Sequence, residues 1–317
     1  MITRIIKPLL GVLAAGYILF YYSELVFWAR VKPADNLPEW ISTWLVYSLL
    51  AFVFLTVVAR FHVHTVWALF LAGAVFGWMT EGIIVQTAYE DLPLSLSFTG
   101  LAWHALISVW VGWYAVRRAL FSGLKATLLL SATIGIGYGL WAISWWVEPG
   151  ETPAPPLEFA RYALLSTLLL IPAYWLHDRT VPASFRPNRA LEIAAGILFL
   201  LYFAFITVPA AAPWAAAILP VLLLLVYLAL RRNQQRESRT PLHQCFSRTD
   251  QPWRYLGLLT LPLAAAFVYA AAYALDRRWH SNWVLYLITT PAGFILFIIS
   301  FVKVWRMKGV VNNENNN

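Results

Sequence analysis

Residues 65–87 read TVWALFLAGAVFGWMTEGIIVQT, 23 positions with a single charge, Glu81. A helix rises about 1.5 Å per residue, so this stretch is long enough to cross a hydrocarbon layer of about 30 Å. Nine further apolar stretches of similar length accompany it. The candidate spans are Leu9 to Ala29, Ile41 to Ala59, Thr65 to Thr87, Phe98 to Val116, Ala126 to Val147, Phe159 to Leu176, Ala190 to Val208, Trp214 to Leu230, Tyr255 to Leu275 and Trp283 to Val302. Over the 317 residues, 61% are apolar and 12% charged, against roughly 25% charged in soluble domains. The reading is an all-α, polytopic integral membrane protein of about ten transmembrane helices.

Loop charge tests the count, because a wrong number of spans would scramble its alternation. With the N-terminus inside, 18 of the 23 Lys and Arg fall on the inner side, while Asp35, Glu39, Glu90, Asp91, Glu148, Glu151 and Glu158 fall outside. The expected topology is N-in and C-in, in a bacterial cytoplasmic (inner) membrane. The same asymmetry accounts for the net charge of +8 without a nucleic-acid partner. The expected partners are membrane lipids and a small-molecule or lipid substrate, with no oligomeric state specified. The first stretch is too long for a signal-peptide core and ends in Val-Phe-Trp-Ala-Arg without a small-residue cleavage site, which makes it a retained helix. Pro209 and Pro213 mark either a turn or a kink between spans seven and eight.

One transmembrane helical domain is expected over 1–311. Its half 1–150 holds 12 of the 16 glycines and the intramembrane polar groups, and 159–304 is more apolar. A basic cytoplasmic loop covers 231–254, and the low-complexity tail 312–317 reads as disordered. The ten-span, N-in and C-in plan is similar to that of drug/metabolite transporters in span count and orientation. The unequal halves depart from the paired repeats of that family.

Two carboxylates and one histidine lie well inside the spans: Glu24, Glu81 and His104. Each is about six residues from the end predicted to be outer, which places all three roughly 7 to 10 Å deep at helical rise. Glu81 is in register with Gly73 and Gly77, and His104 with Gly100, Ser108 and Gly112, so both share stripes of small residues that suit helix packing. Glu24 shares a face with Tyr17, Tyr21 and Trp28, and Ser131, Gly135 and Gly139 form a further small stripe in span five. Ionisable groups at such depth point to function. The candidate substrate or proton site is therefore Glu24, Glu81, His104, Tyr21 and Ser108, with Gly73, Gly77, Gly100, Gly112, Gly135 and Gly139 as helix-packing positions.

Other chemistry leaves no signature. One cysteine, Cys245, excludes a disulfide framework. A bis-histidine haem needs a second membrane histidine facing His104. No cofactor is expected, and the pairs His62/His64 and His243/Cys245 read as loop residues, with no metal assigned. No hydrolase, zinc-protease or nucleotide-loop motif occurs. The leading expectation is a small-solute or proton-coupled transporter with a polar site in the outer half of the membrane. The alternatives are a structural or assembly subunit and a membrane-embedded enzyme acting on a lipid or lipid-linked substrate.

Overall fold

The computed structural model describes residues 2–30, 36–148, 152–234, 240–246 and 251–306, with the side chains of 2–5 and 213 left aside. Lys32, Asp35, Glu151, Arg236, Arg239, Arg248 and the tail 312–317 lie outside the described residues.

Among the described residues, ten helices are long and apolar enough to span a membrane: α1 Ile6–Trp28, α2 Leu37–Arg60, α3 Val66–Ile84, α4 Leu94–Ser122, α5 Leu124–Val147, α6 Pro156–Ser184, α7 Arg189–Ala210, α8 Trp214–Gln234, α9 Pro252–Ala274 and α10 Ser281–Arg306. No strand occurs among the described residues. This follows from the solvent: only a helix satisfies its own backbone donors and acceptors segment by segment in lipid. Residues Ala211 and Ala212 are extended, at ψ 154° and 134°, so the proline-flanked segment is a turn.

Two helices run furthest beyond the ends that hydropathy indicates. Span four continues past Val116 to Ser122, and span six past Leu176 to Ser184. The polar residues that signalled helix ends, Arg117, His177 and Asp178, are buried inside the extended helices and hydrogen-bond to one another.

The chain packs as two units that interleave along the sequence: Met1–Phe52, Ile107–Phe185 and Phe246–Thr290 in one, Val53–Leu106, Arg186–Cys245 and Pro291–Asn317 in the other. These units cut across the polar and apolar sequence halves. In the first unit, α1 lies along α6 and α5 along α9. A Cβ on Gly11 would meet Thr180 Oγ1 at 2.7 Å, one on Gly139 would meet the Ala265 carbonyl at 2.7 Å, and one on Gly135 would meet Ala264 Cβ at 2.8 Å. A Cβ on Gly112 would overlap the Tyr22 ring. In the second unit, α3 is almost wholly buried, Gly73 included. Gly77 packs onto α4, where its Cβ would overlap the Gly100 carbonyl oxygen and come within 2.8 Å of His104 Cβ, and a Cβ on Gly100 would come within 2.7 Å of the Trp78 ring.

Candidate functional site

Glu24, Glu81 and His104 all sit in π-helical segments, Tyr21–Leu25 in α1, Thr80–Ile84 in α3 and Phe98–Ala115 in α4. The π-helix is rare, occurs mostly as single turns, and gathers at functional sites. Side chains reach backbone carbonyls at the ends of these segments, where the last turn of a helix leaves carbonyls unpaired or shared. Thr207 Oγ1 donates to the Ile83 carbonyl at 3.0 Å, and Tyr89 Oη to the Gly82 carbonyl at 2.8 Å. Burial pushes the Tyr89 hydroxyl up to about 12, so it remains a donor across the physiological range. Tyr162 Oη donates to the Leu25 carbonyl at 3.0 Å.

In the second unit, His104 Nε2 and Glu81 Oε1 are 2.6 Å apart. Both residues are buried, at 2% and 7% exposure. Thr87 Oγ1 donates to the other oxygen, Oε2. Thr87 opens a short turn, Thr87–Tyr89, beyond the end of α3, so one carboxylate oxygen is tied to the membrane interior and the other to a loop. Phe76 stands edge-on to the imidazole at 5.4 Å. With one proton between them the pair is neutral overall, whether as carboxylate and imidazolium or as acid and imidazole. A second proton, or the loss of the first, leaves net charge in a low-dielectric site, at a cost that favours exchange only when water or a ligand reaches it.

Glu24 belongs to the first unit and finds its partners there. Tyr47 Oη donates to Oε1 at 2.6 Å, and Trp28 Nε1 to Oε2 at 3.0 Å. Tyr21 turns from Glu24 to Thr167, with 2.8 Å between the hydroxyls, and Tyr17 donates to the Ser166 carbonyl at 2.9 Å. Ser108 pairs with Ser23 at 2.9 Å. A face reckoned at 3.6 residues per turn is displaced within a π-turn, which is why Tyr21 and Ser108 have partners that helical spacing does not indicate. Of the five candidates, the structure joins Glu81 with His104 directly and gives Glu24, Tyr21 and Ser108 separate partners.

A second polar cluster, in the first unit, escaped the sequence reading. Arg117 Nε donates to Asp178 Oδ1 at 2.6 Å, and Tyr255 Oη to Asp178 Oδ2 at 2.9 Å. Trp113 Nε1 donates to His177 Nε2 at 3.0 Å, which leaves the imidazole proton on Nδ1, facing Asp178 Oδ1 at 3.3 Å. Arg117 Nη2 donates to the Phe246 carbonyl at 2.9 Å, and its guanidinium lies 4.9 Å from the Trp113 ring centre. Arg117 and His177 are fully buried. The signal available in the sequence was Asp178 itself, an acid at the end of the membrane where the basic residues collect.

Leu242 N donates to the Val63 carbonyl at 2.7 Å, which brings the short helix Leu242–Cys245 to the segment that holds His62 and His64. Among the described residues, no group of three or more His, Cys, Asp or Glu is placed to hold a metal ion. Comparison of the chain with protein-family models, with curated proteins and with solved structures gives no match in any of the three.

Proposed function

We propose that this chain is a proton-coupled carrier of a small solute, in which Glu81 and His104 hold the coupling proton. The observation that carries the reading is the buried carboxylate–imidazole contact of 2.6 Å, set in two π-helical segments and closed on its outer oxygen by a loop threonine. A packing role alone is met by an uncharged amide, whereas a carboxyl group at this depth costs a few kcal/mol on insertion scales. A titrating pair recovers that cost as function: release of the Thr87 contact exposes Oε2, and a cationic or hydrogen-bonding solute then competes with the proton for the carboxylate. The charge asymmetry of the loops supports a bacterial cytoplasmic membrane with both termini inside.

The test reconstitutes the full chain in proteoliposomes that trap a pH-sensitive dye, with amino acids, sugars and organic cations added in turn. The expected result is solute-dependent proton movement in the wild type that Glu81→Gln abolishes at unchanged melting temperature. Independently of solute, pH-difference infrared spectra should show a carboxyl band that Glu81→Gln removes. A structural role predicts the opposite pattern, with Glu81→Gln silent in every assay and Glu81→Leu destabilising by about 1–3 kcal/mol because His104 and Thr87 lose their partner. That pattern would end the carrier reading.

A further inference from the structure

The first unit contains a second feature that the carrier reading does not use, an apolar groove with a cavity volume of about 570 Å³ walled by α1, α2 and α6. Its size is that of a ligand site, which typically spans about 300–1,000 Å³. On α6 the lining residues recur every three or four positions from Glu158 to Leu176, on α1 they run from Leu10 to Leu25, and on α2 from Leu37 to Trp44. Three stripes at helical spacing therefore face one space. At 1.5 Å per residue the α2 wall is about 10 Å deep, so the three-sided part lies within one leaflet of a layer about 30 Å thick. Beyond Trp44 the groove has two walls, α1 and α6.

The mouth differs in character from the walls. Glu158 and Arg161, three residues apart on α6, both line the groove at its Leu37 and Trp40 end. Both are exposed, and neither makes an ion pair or side-chain hydrogen bond among the described residues. Residues i and i+3 on a helix stand about 5–6 Å apart at Cβ, so an anion and a cation are presented side by side above an apolar slot.

We propose that this groove holds one molecule of phosphatidylethanolamine. One acyl chain fills the three-sided slot, the phosphate accepts from Arg161, and the primary ammonium donates to Glu158. Charge complementarity selects the headgroup. A zwitterion with its two charges separated by a two-carbon link matches the carboxylate–guanidinium pair. An anionic phosphatidylglycerol leaves Glu158 facing a negative headgroup, and the quaternary ammonium of phosphatidylcholine has no proton to donate to it. Arg161 suits a phosphate because its planar fork can offer two parallel donors. The slot supplies chain burial at about 0.8 kcal/mol per methylene for any lipid, so the walls give affinity and the mouth gives selectivity.

The experiment is native mass spectrometry of the full chain, purified in mild detergent, stripped of lipid and titrated with phosphatidylethanolamine, phosphatidylglycerol or phosphatidylcholine. One phosphatidylethanolamine should be retained per chain, in preference to the other two. Arg161→Gln should lower its retention about tenfold, the loss of one charge-assisted hydrogen bond. Glu158→Gln should weaken phosphatidylethanolamine and strengthen phosphatidylglycerol, reversing the preference. Leu165 and Leu169 line the slot and are 63% and 60% exposed, so Leu165→Trp or Leu169→Trp can fill it from the open side without entering the core, and either should reduce retention of all three lipids. Equal retention of the three lipids by the wild type, unchanged retention in Arg161→Gln, or full retention in a groove-filled variant of wild-type melting temperature would each overturn the proposal.

Discussion

Replacing Gly77 by alanine adds one methyl group where α3 and α4 meet backbone to backbone. The new carbon would overlap the Gly100 carbonyl oxygen and lie 2.8 Å from His104 Cβ and 2.9 Å from the Gly100 carbonyl carbon. None of these atoms is the free end of a flexible side chain, so relief requires the helices to separate. Overpacking costs typically about 1–3 kcal/mol; a rigid backbone neighbour places Gly77→Ala at the upper figure, and the roughly 0.5–1 kcal/mol that alanine gains over glycine in a helix is set against it, which leaves about 2 kcal/mol. At roughly 2 °C per kcal/mol for a chain of this size, the apparent melting temperature in detergent should fall by about 4 °C. Gly137 and Gly196 are the controls, because a Cβ at either meets nothing within 4 Å, and alanine there should be neutral or slightly stabilising. The same displacement moves His104 relative to Glu81, so the infrared carboxyl band attributed to Glu81 should shift in Gly77→Ala and in neither control. Equal melting of all three variants would refute the close approach of α3 and α4 and, with it, the geometry that brings Glu81 to His104.

The buried Arg117–Asp178 pair should behave as a unit: Arg117→Met and Asp178→Leu each destabilise by about 3–5 kcal/mol, while the double variant recovers most of the loss, read as a coupling energy in a thermal double-mutant cycle. Additive losses would show that the pair is not coupled. Glu24→Gln should cost about 1 kcal/mol, because charge-assisted hydrogen bonds from Tyr47 and Trp28 become neutral ones, and it should leave the Glu81 infrared band untouched; a change in that band would tie Glu24 to the pair. The single cysteine, Cys245, is exposed and should resist a membrane-impermeant maleimide in intact cells, whereas a cysteine placed at Glu90 in a Cys245→Ser background should react; labelling of both from one face would refute the orientation.

The spans were legible because hydropathy averages over a window of about one bilayer thickness, and a single polar residue such as Glu81 hardly disturbs the mean of 23. Faces reckoned at 3.6 residues per turn drift within π-helical segments. Gly77 of α3 packs on Gly100 and His104, and Glu81 meets His104 although both stand in such segments. The π-turn at 21–25 instead sends Tyr21 to Thr167 and leaves Glu24 to Tyr47. No property of Tyr-Tyr-Ser-Glu-Leu in isolation marks it as π-helical, and its partners, such as Thr167 for Tyr21, are distant in sequence.

The Arg117 cluster was hidden for a different reason. A hydropathy window scores every charge as a cost, and two opposite charges that share a hydrogen bond still count twice. Asp178 and Arg117 thus ended their spans early on paper, 61 residues apart in sequence, although together they form a neutral, hydrogen-bonded group inside the helical unit. The sign of the charge carries the missing information: the positive-inside expectation accounts for Arg117 with no partner at all, but it gives no reason for an aspartate at the same end. An acid on the basic side of a membrane chain is therefore a sequence signal for a buried partner. Asp178, fully paired in the interior, follows this rule; Glu192 at the same end does not, because its partner Arg60 at 2.7 Å is exposed and such a pair contributes at most about 1 kcal/mol.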